Sequence, residues 1–148
     1  MSKAIQALLS GMLMTFILDF FLFLGIKINY IDAYDIDLYY NILFADNQNI
    51  FIYLFFSAVL GYLLIYFSGK VAVALFGFMS IIVLATLYAP VGKNVGEMLL
   101  MQKDIALQTK RFSYHGDLLY DGRDRVSFYD YRLKKVLHIE KNRIKGEY

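Results

Sequence analysis

The chain has 148 residues, of which 59% are hydrophobic, 18% aromatic and 19% charged, with a formal net charge of +2. Soluble domains sit nearer ~45–50% apolar and ~25% charged, so this composition excludes an ordinary soluble globule, and the small net charge excludes a strongly basic nucleic-acid binder. With no cysteine there are no disulfides, thiolate metal sites or cysteine nucleophiles.

The charges divide the chain. Residues 1–89 carry eight: Lys3, Asp19, Lys27, Asp32, Asp35, Asp37, Asp46 and Lys70. Residues 90–148 carry the other twenty, twelve basic and eight acidic, and the break falls at Pro90, the only proline. This reads as a membrane domain over 1–90 and a water-facing tail over 91–148.

Residues 4–26 form an apolar run broken by one charge, Asp19. At ~1.5 Å per residue it reaches about 34 Å, enough to cross a hydrocarbon core of ~30 Å. A cleaved signal peptide would want a shorter apolar core and a small-residue cleavage site, whereas Asp19 is followed by Phe20, Phe21, Leu22 and Phe23. Between this span and the next, Asp32 and Asp35 resemble a helix-capping pair. Ile31, Tyr34, Leu38 and Ile42 recur at helical spacing, with Tyr39 and Tyr40 beside them. The segment reads either as a short amphipathic helix in the interface or as an irregular loop.

Residues 50–89 hold one charge, Lys70, and one helix of that length would be about twice the hydrocarbon thickness. The run must fold back, and Ser68-Gly69-Lys70 is the place for it. Two further spans are therefore expected, over 50–67 and 71–89, as a tight hairpin closed by Pro90. In the tail, Asn94 as N-cap and the spacing of Val95, Met98, Leu99, Gln102, Ile105 and Ala106 predict a helix over about 94–109. Short strands follow over about 111–141, at Arg111–Tyr114, Leu118–Tyr120, Arg125–Tyr131 and Val136–Lys141. Turns are expected at His115-Gly116-Asp117, Asp121-Gly122 and Arg132-Leu133-Lys134-Lys135. The fold class is then an all-α membrane part of three transmembrane helices with a small C-terminal antiparallel β-meander. That meander is too small to supply a core alone and should pack on the membrane part, on itself or on a partner.

Asp19 is the most informative residue, because a carboxylate near mid-bilayer costs about 2.5–3.5 kcal/mol on insertion scales. It must face protein or water, be partnered, or be protonated. Ala7, Gly11, Thr15 and Asp19 make one small and polar stripe at four-residue spacing. Such a stripe reads as a docking face for another helix, as a proton or cation ligand, or as the site of an internal bond from Asp19 to Thr15 or Ser57. Ser57 and Gly61, then Ala74, Gly77 and Ser80, are small residues placed for helix packing. Gly92 and Gly96 follow Pro90 and read as a flexible juncture.

No catalytic residues, cofactor or metal ligands are expected. His115 and His138 lack closely spaced second ligands, and no phosphate loop, dinucleotide fingerprint or nucleophile elbow is present. Arg111, Arg123, Arg125, Arg132, Lys134, Lys135, Lys141, Arg143 and Lys145 are interleaved with acids, as on a solvated mixed surface.

The reading is a small non-enzymatic inner-membrane protein, an accessory, assembly or scaffold subunit of a larger machine such as a motor, secretion or respiratory complex. Its partners would be membrane lipids and other integral subunits or itself, with no nucleic acid. The alternative is an ion- or proton-conducting subunit that uses Asp19. The Ile, Phe, Tyr, Lys and Asn bias looks like an A·T-rich bacterial genome. Few basic residues beside the hairpin and twelve in the tail leave the charge rule close to balance; the expected orientation is N-terminus cytoplasmic and tail periplasmic.

Overall fold

The computed structural model describes residues 2–110 and 112–145, so Arg111 and residues 146–148, which belong to the tail expected above, lie outside it. The chain is mostly helical and ends in a four-stranded antiparallel sheet. Helix α1 covers Lys3–Ile26 and continues without a break through a π turn, Lys27–Ile31, and a 3-10 turn, Asp32–Tyr34. Asp35, in the left-handed region at φ 54°, stops it. The Asp32–Asp35 pair therefore ends a helix instead of starting one. The aspartates are not capping a new helix because the apolar pattern of α1 carries on past Ile26, and the first-loop helix is α2, Tyr40–Asn47.

An elbow at Gln48-Asn49 leads into α3, Ile50–Tyr66, whose second and third amides, at Phe51 and Ile52, donate to the Asn49 side chain. Next come α4, Gly69–Leu84, and a 3-10 turn at Ala85–Leu87. Two helices are long and apolar enough to cross a membrane, Lys3–Tyr34 and Gly69–Leu87; the count rises to three if α2 and α3, bent by 84° at the elbow, make one span.

Helix α5 covers Ala89–Leu100, so the tail helix lies upstream of the expected 94–109. Pro90 occupies its first turn, where a missing amide hydrogen costs nothing, and so opens this helix; α4 has already ended at Leu84 and its 3-10 turn at Leu87. Ile105 and Ala106, which fitted a helical period, belong to strand β1, Gln102–Gln108. Its alternation is masked by a register shift between Gln102 and Ile105, with Asp104 at φ 60°. Strands β2, Ser113–Asp121, β3, Arg125–Asp130, and β4, Lys135–Glu140, follow in spatial order β1-β2-β3-β4. The expected turn at His115-Gly116-Asp117 is instead the middle of β2, where Gly116 serves a close approach: a Cβ there would lie 1.8 Å from the Tyr129 carbonyl oxygen.

The sheet is rolled. After β4 a 3-10 turn, Lys141–Arg143, carries the chain back to the far edge, where Ile144 bridges Thr109 and the Lys145 amide donates to the Gln108 carbonyl at 2.8 Å. Rolling buries Leu107, Leu118, Val126, Phe128 and Ile139 inside, without a second layer. The outer face packs on the helices. An irregularity between Leu118 and Tyr120 lets the consecutive residues Leu119 and Tyr120 both join a cluster with Phe23, Ile26, Tyr30, Ile31, Ile36 and Leu43.

Candidate functional site

The stripe on α1 meets α3 of the same chain. Ala7, Gly11 and Thr15 are buried, as are Ser57 and Gly61 opposite them. The contact is backbone to backbone: a Cβ on Gly11 would lie 1.8 Å from the Ser57 carbonyl oxygen, and one on Gly61 would lie 1.9 Å from that of Ala7. Small residues allow this approach, and dispersion between close backbones is what holds helices together in lipid. The Tyr53 hydroxyl donates to the Met12 carbonyl at 2.9 Å, and the Ser57 hydroxyl is satisfied within α3 by the Tyr53 carbonyl at 2.7 Å. The Thr15 hydroxyl is buried without a partner among the described residues.

Asp19 is half-buried at the end of this seam and bonds to neither Thr15 nor Ser57. Its carboxylate accepts from the Gln48 amide at 2.6 Å. That puts it level with the polar elbow Asn47-Gln48-Asn49. Aromatic rings fill the angle between α1 and α2, with Phe16 and Phe23 edge-on to Phe44, and Phe20 edge-on to Tyr40. The Tyr40 hydroxyl donates to the Phe20 carbonyl at 3.0 Å.

The α4 residues are placed differently. Ala74 is exposed, Ser80 is half-buried, and nothing lies within 4 Å of a Cβ built on Gly77. They make no close seam within the described chain.

Sequence reasoning missed the junction where the end of α1 acts as a post for the sheet. Tyr30 is 0% exposed, and its hydroxyl donates to the Leu119 carbonyl of β2 at 2.7 Å. The Asn29 amide donates to the Thr86 carbonyl at 2.8 Å. Gly92 and Gly96 form a buried seam here, not a flexible juncture: a Cβ on Gly96 would lie 2.4 Å from the Tyr30 side chain, and one on Gly92 2.1 Å from the Thr86 carbonyl oxygen. The Tyr34 hydroxyl donates to Glu97 at 3.0 Å, and Lys93 sits over the Tyr34 ring. Lys27 and Asp32, five residues apart, form an ion pair across the π turn. Four-residue spacing from Gly92 to Gly96 was the one available signal; its partner face, Asn29 and Tyr30, carries no motif.

A second tie joins the loop to the sheet. Arg123, in the β2–β3 turn, forms an ion pair with Asp46 on α2, and this carboxylate raises the guanidinium pKa. Tyr120 beside it is buried, which pushes its phenol up from the usual value near 10. The two histidines stay apart: His115 meets Asp104 at 3.0 Å, while the His138 Nδ1 lies 3.1 Å from the Ser127 hydroxyl. Among the described residues no carboxylate pairs with His138, and no group of three or more His, Cys, Asp or Glu side chains is placed to hold a metal.

No family model, curated protein or solved structure matches the chain.

Proposed function

We propose that this chain is a non-enzymatic accessory, assembly or scaffold subunit of a larger membrane complex. One observation carries the reading: an apolar helix runs uninterrupted from Lys3 to Tyr34 and ends against the outer face of the sheet, with Tyr30 buried and bonded to β2. Such a post fixes a small water-facing surface at a set height and rotation above a membrane, which suits presentation to a partner. The outward Ala74 and Gly77 on α4 support a second contact within the membrane, where outward small residues admit a neighbouring helix. The chain crosses the membrane three times, with α3 and α4 as a hairpin at Ser68–Lys70. The membrane is a bacterial inner membrane, with the N-terminus cytoplasmic and the sheet outside. Partners are lipids, other integral subunits or further copies of this chain; no nucleic acid is involved.

Half-burial of Asp19 favours one alternative, an ion- or proton-conducting subunit. The full chain, purified from native membranes in mild detergent, should bring integral membrane subunits or further copies with it; recovery as a lone monomer overturns the assembly reading. In Asp19→Asn the side-chain oxygen still accepts from Gln48, so the complex should be recovered unchanged. Loss of ion or proton movement from an intact complex would move the conclusion to conduction.

A further inference from the structure

We propose that the open edge of β4 docks an extended acidic segment of a partner protein, which adds to the sheet as a further strand. This deepens the assembly reading and rests on it for the existence of a partner. The edge follows from the hydrogen-bond phase. Lys141 donates its amide to the Asp124 carbonyl at 3.0 Å, which makes Asp124 and Lys141 a bonded pair. Bonded pairs alternate along an antiparallel ladder, so Val126 pairs this way with Ile139 and Phe128 with Leu137. The backbone N–H and C=O groups of Val136, His138 and Glu140 then point away from β3. None of them has a backbone partner from outside the strand among the described residues. The opposite edge of the sheet is different, because residues 143–145 bond along the end of β1.

A groove flanks β4 on each side, and the two share Arg125, His138 and Glu140. One, of about 650 Å³, is floored by Phe112, Tyr114 and Leu137, with Lys110, Arg125 and Arg143 against a single carboxylate, Glu140. Glu140 pairs with Arg143 at 3.2 Å, and neither Lys110 nor Arg125 has an ion pair among the described residues. The other groove, of about 680 Å³, lies between the sheet and the extended segment at Asp37–Tyr39. It balances Arg123, Arg125 and Lys141 against Asp37, Asp124 and Glu140. Side chains of an added strand alternate between the two sides. The segment that fits therefore places acidic residues toward Lys110 and Arg125, and uncharged residues toward the balanced groove.

The test uses the full chain in detergent micelles and synthetic peptides of about eight residues, one alternating Glu and Val and one alternating Lys and Val. The Glu peptide should bind and slow hydrogen exchange at the amides of Val136, His138 and Glu140; the Lys peptide should bind at least about tenfold more weakly. His138→Pro removes an outward amide and no ladder bond, a change that edge strands tolerate, and should weaken the Glu peptide about tenfold or more. If that variant fails to fold, the double reversal Lys110→Glu with Arg125→Glu, which leaves the backbone intact, should abolish the preference for Glu over Lys. No binding of the Glu peptide, equal binding of the two peptides, or binding unchanged in the folded variants overturns the proposal. Partner recovery from membranes with no peptide binding would sink the edge site alone; peptide binding by a chain that purifies as a lone monomer would sink the assembly reading alone.

Discussion

A hydroxyl buried without a partner costs about 1–3 kcal/mol, and among the described residues Thr15 carries one into the seam between α1 and α3. Thr15→Val keeps the shape and removes that cost. It should raise the stability of the full chain in micelles by about 1 kcal/mol, read from the midpoint of denaturant unfolding. Gly11→Ala should do the reverse, by about 1–3 kcal/mol, because its methyl group meets the Ser57 carbonyl, which cannot move away without shifting α3. Gly77→Ala, where nothing lies within 4 Å among the described residues, should cost nothing and should raise stability by up to about 1 kcal/mol through the helix preference of alanine. Equal losses at Gly11 and Gly77 would mean that the seam is not the closest contact. The α1 face of this seam was legible in the sequence because small residues at four-residue spacing fall on one side of a helix. The Gln48 partner of Asp19 was not, since it comes from an elbow whose angle leaves no periodic trace.

At the scale of elements, the sequence shows the helix period where flat apolar runs dominate and loses it at junctions. The first strand was hidden because Asp104 interrupts its alternation. Strand β2 was split in two because Gly116 serves a close approach and resembles turn chemistry in a sequence. The junction between the sheet and the helices also makes a pH prediction. Burial raises the Tyr120 phenol pKa, so the folded state favours the neutral form. That contribution is fully present below the unfolded value near 10 and is lost as pH rises through the higher folded value. Alkaline titration followed by ultraviolet phenolate absorbance should therefore show Tyr120 ionising above the exposed tyrosines, in step with release of the sheet from the helices. A Tyr120→Phe variant whose sheet detaches over the same pH range would show that another group governs it.

On the scale of the whole molecule, ties fix which parts share a side. Asp46 pairs with Arg123, and Thr86 meets Asn29, so the first loop, the end of α4 and the sheet lie together at one end of the helices. Reporter fusions after Asp46 and at the C-terminus should therefore agree with each other, both reading outside, with one at Gly69 reading inside. Both reading cytoplasmic would invert the orientation, and disagreement between the two would break the arrangement itself. This grouping was only partly legible beforehand. Charge density separated the greasy part from the tail, but the sheet's seat on α1 depends on Tyr30, which carries no mark in a sequence already rich in tyrosine.

The unbroken run of α1 into the sheet has a consequence for how this chain can evolve. Each residue added to or removed from a helix turns everything beyond it by about 100°. Gly11 must face α3 while Tyr30 faces β2, and both lie on one rigid rod. A single-residue insertion or deletion between them that the π turn at Lys27–Ile31 does not take up would swing Tyr30 out of phase with Leu119, however conservative the residue involved. Substitutions along that stretch are absorbed one contact at a time, whereas its length is inherited as a unit.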